Sequence, residues 1–284
     1  MLLPYTVDVP MQRRPVVNWL MIGLTLVGTA YQLAYGIAAP QDDVLQGRPI
    51  PANVQMLWRL IVAAPPGPLA VHRSHFSFWQ LFTYPFAEPG VGSLLLNLVF
   101  LFCFGNALNA RLGHVLYAAM YILIAVFAAL LWLLVSKAAT LLGSAGAVMG
   151  VTGAFVVFYP RYDVRIFFLG RVGLGTFSVP SYLMVAISMA LDLVAVLTGM
   201  DGGLPYACAL GGELAGLAMA LGLLLTGRVT PVRHEENLLQ VLGLQQKIGE
   251  VAERKQEPWE FKPMTEAALS RGLAGRGKGR VGGR

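Results

Sequence analysis

The chain has 284 residues, 56% hydrophobic and only 13% charged, about half the charged share of a soluble globular domain. Several apolar runs reach the roughly 20 residues that cross a bilayer, so the composition excludes a soluble enzyme and points to a polytopic α-helical membrane protein. The net charge of +6 comes from basic residues lying mostly between and after the apolar runs, which suits membrane orientation better than specific nucleic-acid binding.

Residues 1–11 are short and broken by Pro4, Asp8 and Pro10, so no cleavable signal peptide is expected. Arg13 and Arg14 precede a first span at about 16–37, and Pro15 suits the first turn of its helix. Two arginines before the first span predict a cytoplasmic N-terminus over 1–14. A long connection, 38–77, holds six prolines. Within it, Val54–Ala64 reads as a short interfacial helix with Trp58 as anchor. The aromatic Phe78-Trp-Gln-Leu-Phe-Thr-Tyr-Pro-Phe86 leads into a second span at about 92–108, which contains Asn97. A buried Asn needs a partner on another helix. The third span is at about 115–135, with Arg111 on one side and Lys137 on the other.

A fourth span, at about 144–159, starts in Gly143-Ser-Ala-Gly-Ala-Val-Met-Gly-Val-Thr-Gly-Ala154. Small residues recur there every three or four positions and so share one helix face. Gly146 and Gly150 form a GxxxG pair. Pro160–Arg165 and Arg171 read as a connection on the cytoplasmic side. The fifth span, about 179–198, carries Asp192. The sixth, about 206–226, has a second small-residue pair, Gly212 and Gly216, and an acid, Glu213. The pattern predicts that spans four and six pack directly on each other. Cys103 and Cys208 both fall inside apolar runs, where small apolar packing is the expected role. Together these elements predict an all-α, six-helix membrane domain over 15–227. After it comes a cytoplasmic tail, 228–284, with an amphipathic stretch over 235–254 and a Gly/Arg-rich end that suits anionic lipid.

In their order and spacing, several stretches resemble the rhomboid family of intramembrane serine proteases. They are the Arg-Arg-Pro entry to span one, Phe78–Thr83, Gly92–Asn97, Phe104-Gly-Asn-Ala-Leu-Asn-Ala-Arg-Leu-Gly113, Gly143–Ala154 and Ala209-Leu-Gly-Gly-Glu-Leu-Ala-Gly216. The resemblance implies a six-transmembrane-helix rhomboid-like bundle. It also implies a Ser nucleophile opening the fourth helix, a His base in the sixth, and a His and an Asn of the second helix forming an oxyanion hole. Carried over to this chain, the nucleophile position is Ala145 and the base position Ala209. The oxyanion-hole Asn is Asn97, the second-helix His position is Ser93, and a further position that commonly holds His is Glu88. The histidines, His72, His75, His114 and His234, all lie outside the spans.

A Ser hydroxyl needs a base to become a nucleophile, and both dyad positions are alanine. Ser144 points about 100° away from position 145 on a helix, so it reads as a cap or a turn residue. Ser144 with Glu213 is a remote substitute dyad. The leading expectation is a rhomboid-like pseudoprotease that binds transmembrane helices of client proteins, with the lipid bilayer as its other partner. No cofactor and no metal are expected, and an inner membrane of bacterial type is the expected location. The alternative is an intramembrane serine endopeptidase, with an altered catalytic arrangement or with Ser and His replaced by alanine at these positions. A transporter or channel is the third class, but it would need a continuous polar path. The polar residues inside spans are few: Asn97, Asp192 and Glu213.

Overall fold

The structure, a computed structural model, describes residues 2–7, 13–38, 57, 60, 61, 64–170, 173–199, 205–229, 237–241 and 243. Backbone contacts group residues up to Leu244 into one unit, and the description below concerns that unit. The expected interfacial helix over 54–64 and the amphipathic stretch over 235–254 fall largely outside the described residues. The basic tail end, Arg171 and His234 fall wholly outside them.

The apolar runs form helices α1 (Val16–Ala38), α3 (Val91–Leu112), α4 (His114–Val135), α6 (Ser181–Thr198) and α7 (Tyr206–Leu225). All five are long and apolar enough to cross a membrane. The sixth apolar helix, α5 (Ala145–Phe158), has 14 residues. At 1.5 Å per residue it is about 21 Å long, against roughly 30 Å of hydrocarbon. It is also the most enclosed helix, with twelve of its residues buried. A single turn, α2 (Gln80–Thr83), precedes α3, and another, α8 (Leu238–Val241), follows α7.

Strands are an addition to the helical reading. β1 (Leu2–Val7), β4 (Asp163–Gly170) and β5 (Gly173–Pro180) form an antiparallel sheet with β4 in the centre. Its register runs from Leu2↔Phe168 to Val7↔Val164, and from Asp163↔Pro180 to Gly170↔Gly173. From sequence, 1–14 reads as a cytoplasmic N-terminus and 160–165 as a connection, so these strands are not expected. The β-branched and aromatic residues of Val164-Arg-Ile-Phe-Phe-Leu169 favour a pleated surface. β5 also moves the start of the fifth span from 179 to Ser181. A second, two-residue ladder pairs β2 (Val71–His72) with β3 (Thr140–Leu141).

α1 buries its polar side. Asn18, Met21, Ile22, Thr25, Thr29, Gln32 and Gly36 face inward at helical spacing, while Trp19, Leu20, Val27 and Tyr31 are exposed. Asn18 is the centre of this face. Its Nδ2 donates to Leu101 O and to Asn106 Oδ1, both at 2.8 Å, and its Oδ1 accepts from Tyr117 Oη at 2.6 Å. Residues Leu101–Gly105 of α3 form a π-helical turn. Such a turn frees backbone groups that need another partner, and Asn18 takes up the Leu101 carbonyl. Three helices are thus tied through one amide deep in the apolar core.

α5 and α7 meet backbone to backbone. A Cβ added at Gly212 would lie 1.8 Å from Gly146 O, and one at Gly216 1.9 Å from Gly150 O. One at Gly150 would lie 2.1 Å from Ile124 Cγ2 of α4. The small side chains therefore set the distance between these helices, as van der Waals packing in lipid requires. α6 is held least: 17% of its most apolar window is buried, against 33 to 44% in the other four long helices.

Candidate functional site

The turn into α5 is built around Glu88. Gly143 has φ 117°, a conformation open to glycine, and its N–H donates to Tyr84 O at 3.2 Å. Ser144 follows at the N-cap position, but its hydroxyl makes no capping bond. Of the two expected roles, cap or turn residue, Ser144 takes the second. The Ser144 hydroxyl donates to Glu88 Oε1 at 2.5 Å, and the Ser144 N–H donates to the same oxygen at 2.8 Å. Asn97 of α3 brings a third donor, Nδ2, at 2.8 Å. The Glu88 N–H is itself held by Thr29 Oγ1 of α1 at 3.1 Å. Glu88 is 1% exposed, so the carboxyl is enclosed at a helix N-terminus, where backbone N–H groups and the helix dipole favour an anion.

The site thus joins Glu88, Asn97 and Ser144. Ser93 does not enter it, because its hydroxyl turns back to Gly90 O at 2.9 Å. Ser144 and Glu213, the remote dyad of the sequence, have separate partners. Glu213 Oε1 accepts from Ser188 of α6 at 2.5 Å, while Ser144 goes to Glu88. Ala145 is half-buried and Ala209 buried, on the two sides of the α5–α7 contact. At that contact a Cβ on Gly146 would meet Cys208 Sγ at 2.5 Å. Cys208 also lies 3.7 Å from the Tyr84 hydroxyl, which donates to Ala125 O at 2.7 Å. Burial, with Cys208 adding to it, pushes the Tyr84 phenol well above its ordinary range, so it acts as a fixed donor. Neither alanine supplies a nucleophile or a base.

The described histidines are elsewhere. His72, in β2, and His75 stack at 4.6 Å ahead of α2, and His114 starts α4. Among the described residues, no three His, Cys, Asp or Glu side chains gather as a metal site would require.

Compared with known proteins, the chain matches the rhomboid domain over residues 75–226, more than half of its length. It belongs to the rhomboid family. No curated protein matches it. The rhomboid domain spans α2 to the end of α7, so it contains the Glu88 cluster and the α5–α7 contact. α1, with Thr29 beneath Glu88, lies before the matched region.

Three site features were not assigned a role from sequence. Asn18 was readable as a polar residue inside an apolar run. Ser188 stands one turn before Asp192 in the same span. Arg73 lay in a loop with no pattern. Its guanidinium donates to Leu133 O at 3.0 Å, Ser136 O at 2.7 Å and Ala138 O at 3.3 Å. It also sits 5.1 Å over the Trp132 ring, so it caps the end of α4.

Proposed function

We propose that this rhomboid-family protein is a non-cleaving member that holds transmembrane segments of client proteins. One observation carries the reading: the Glu88 carboxyl occupies the donors that would serve an oxyanion. In the resemblance, Asn97 points at the developing negative charge of the tetrahedral intermediate. Here Asn97 Nδ2 and the first N–H of the α5 turn are both given to a carboxyl oxygen. Donors contribute to catalysis when they are aimed at where charge appears in the transition state. A carboxyl oxygen already in that place keeps these donors from an oxyanion. With alanine at 145 and 209, nucleophile, base and oxyanion hole are all missing together.

The client-binding part rests on α6. It is the least enclosed long helix and exposes Tyr182, Leu183, Ile187 and Leu191 along the membrane, a face on which another helix can pack. Both ends of the membrane domain are assigned to the cytoplasmic side of an inner membrane of bacterial type. Basic residues gathering at one end support this: Arg13 Nη1 lies 3.0 Å from the site of a Gly113 Cβ, and Arg111 stands 6.0 Å from the Tyr159 ring.

A second reading is favoured by one contact. The Ser144 hydroxyl donates to a buried carboxyl, the geometry of a nucleophile on a base. The same oxygen also receives two other hydrogen bonds, and Ser144 is 1% exposed, which leaves an attacking path closed. The two readings separate in one assay. The protein is reconstituted in vesicles with transmembrane substrates of rhomboid proteases and a fluorophosphonate probe. Neither cleavage nor labelling is expected. Cleavage that disappears in Ser144→Ala would establish the protease instead.

A further inference from the structure

Away from the Glu88 cluster, α4 and α7 leave a groove between them. Leu116, Met120 and Leu123 of α4 and Met219, Gly222 and Leu223 of α7 line a cavity of about 340 Å³, at the lower end of the roughly 300–1,000 Å³ of small-molecule sites. Met120 forms an enclosed floor, Leu116, Met219 and Leu223 are half-buried, and Leu123 at the rim is exposed. Both helices are long and apolar enough to cross the membrane, so this apolar opening meets hydrocarbon rather than water. Gly222 makes the room: a Cβ there would meet nothing within 4 Å, whereas one at Gly212 or Gly216 would strike backbone. From 116 to 123 the groove runs about 10 Å along α4, some two thirds of the roughly 15 Å of hydrocarbon in one leaflet.

The polar end of the groove is set by the way α7 stops. Gly227 takes φ 68°, the left-handed conformation that ends helices at glycine. The chain then turns back, so that Val229 is buried and its N–H donates to Leu223 O at 3.5 Å. Arg228 is held between these two residues, just past the end of α7, and lines the same cavity. Its side chain is exposed and, among the described residues, engages no hydrogen bond or ion pair. No acid is among the described residues that line the cavity. A guanidinium stays charged whatever the pH around it and presents paired N–H donors that match phosphate oxygens.

We infer that this groove holds one acyl chain of an anionic phospholipid, with the phosphate of its headgroup on Arg228. An apolar channel that ends at a free, permanent cation selects an amphiphile with a negative head. Inorganic phosphate would use Arg228 and leave the groove empty. An apolar helix would use the groove and leave the cation unmatched. The site lies between α4 and α7 rather than along α6, so it stands apart from the client-binding reading.

The test uses the full chain in phosphatidylcholine vesicles. A trace of phosphatidylglycerol with a diazirine on its acyl chain is added, or phosphatidylcholine with the same chain. After illumination, labelled peptides are located by mass spectrometry. Labelling of 183–191 on α6, an exposed face that does not line the groove, serves as the reference for lipid met at random. Relative to it, phosphatidylglycerol should label 116–123 and 219–223 about fivefold more than phosphatidylcholine does, the effect of one basic residue at a lipid surface. Arg228→Gln should bring the two lipids within about twofold of each other. Gly222→Leu, which fills the groove, should reduce groove labelling by either lipid to the reference level. Unchanged labelling of α6 shows that each variant is folded. Equal groove labelling by the two lipids in the native chain would overturn the inference, as would a phosphatidylglycerol preference that survives Arg228→Gln. Native groove labelling no higher than the reference would mean that another segment or a second copy covers the groove, and it too would overturn the inference.

Discussion

At the residue scale, Glu88 decides what the α5 turn can do. It accepts from Asn97, from the Ser144 hydroxyl and from the Ser144 N–H. A buried donor left without an acceptor costs about 1–3 kcal/mol, and three donors converge here. Glu88→Ala should therefore lower stability in detergent by at least about 2 kcal/mol. Glu88→Gln keeps an acceptor oxygen and should lose less than half as much. Thermal unfolding followed by circular dichroism orders the two variants. Equal losses would mean that the side chain acts by filling space. Sequence alone could mark Glu88 only as a departure from a position that commonly holds His. Its partners come from α1, α3 and the α5 turn, and no local pattern joins residues 29, 88, 97 and 144.

At the scale of elements, the glycine faces of α5 and α7 divide into those that touch and those that do not. A Cβ at Gly212 would stand 1.8 Å from a backbone oxygen, whereas one at Gly222 on the same helix would meet nothing within 4 Å. Gly212→Ala must push the helices apart and should cost about 1–3 kcal/mol, the usual effect of overpacking. Gly222→Ala should be neutral or stabilising by up to about 1 kcal/mol, because alanine is the better helix former. Unfolding of the two single variants in the same detergent checks the contrast, and similar losses would refute it. The six apolar runs were legible because hydrophobic length is a local property. Their ends agree with the helices within a few residues, apart from the second, which continues to Leu112. The β1–β4–β5 sheet was not legible, because its outer strand is the N-terminal segment and pairing over 160 residues leaves no local trace.

At the scale of the molecule, the short α5 sets a constraint on everything around it. A helix of about 21 Å within roughly 30 Å of hydrocarbon ends beneath a membrane surface. The first N–H groups of a helix have no partner within it, and irregular backbone at membrane depth is tolerated only inside protein or beside water. The segment 64–90 meets this need at the Ala145 end. Gln32 of α1 holds it through Pro65 O and the Gly67 N–H, Arg73 fixes it to the end of α4, and the β2–β3 ladder ties it to the strand before the α5 turn. Tyr84 and Glu88, carried by the same segment, then accept the N–H groups of Gly143 and Ser144. Ala145 is half-buried beside these enclosed groups, so a thiol placed there reports whether water reaches this end of α5. Ala145→Cys, placed in a chain with Cys103→Ser and Cys208→Ala, should therefore react with a water-soluble maleimide in intact vesicles or detergent. The native thiols, Cys103 at 6% and Cys208 at 0% exposure, should stay unlabelled in the parent chain. Labelling is read by mass shift after a fixed time. If Ala145→Cys is as unreactive as Cys208, the sunken end of α5 is sealed by the 64–90 segment. A hydrolytic reaction at this position would then lack its water, whatever residue stood there.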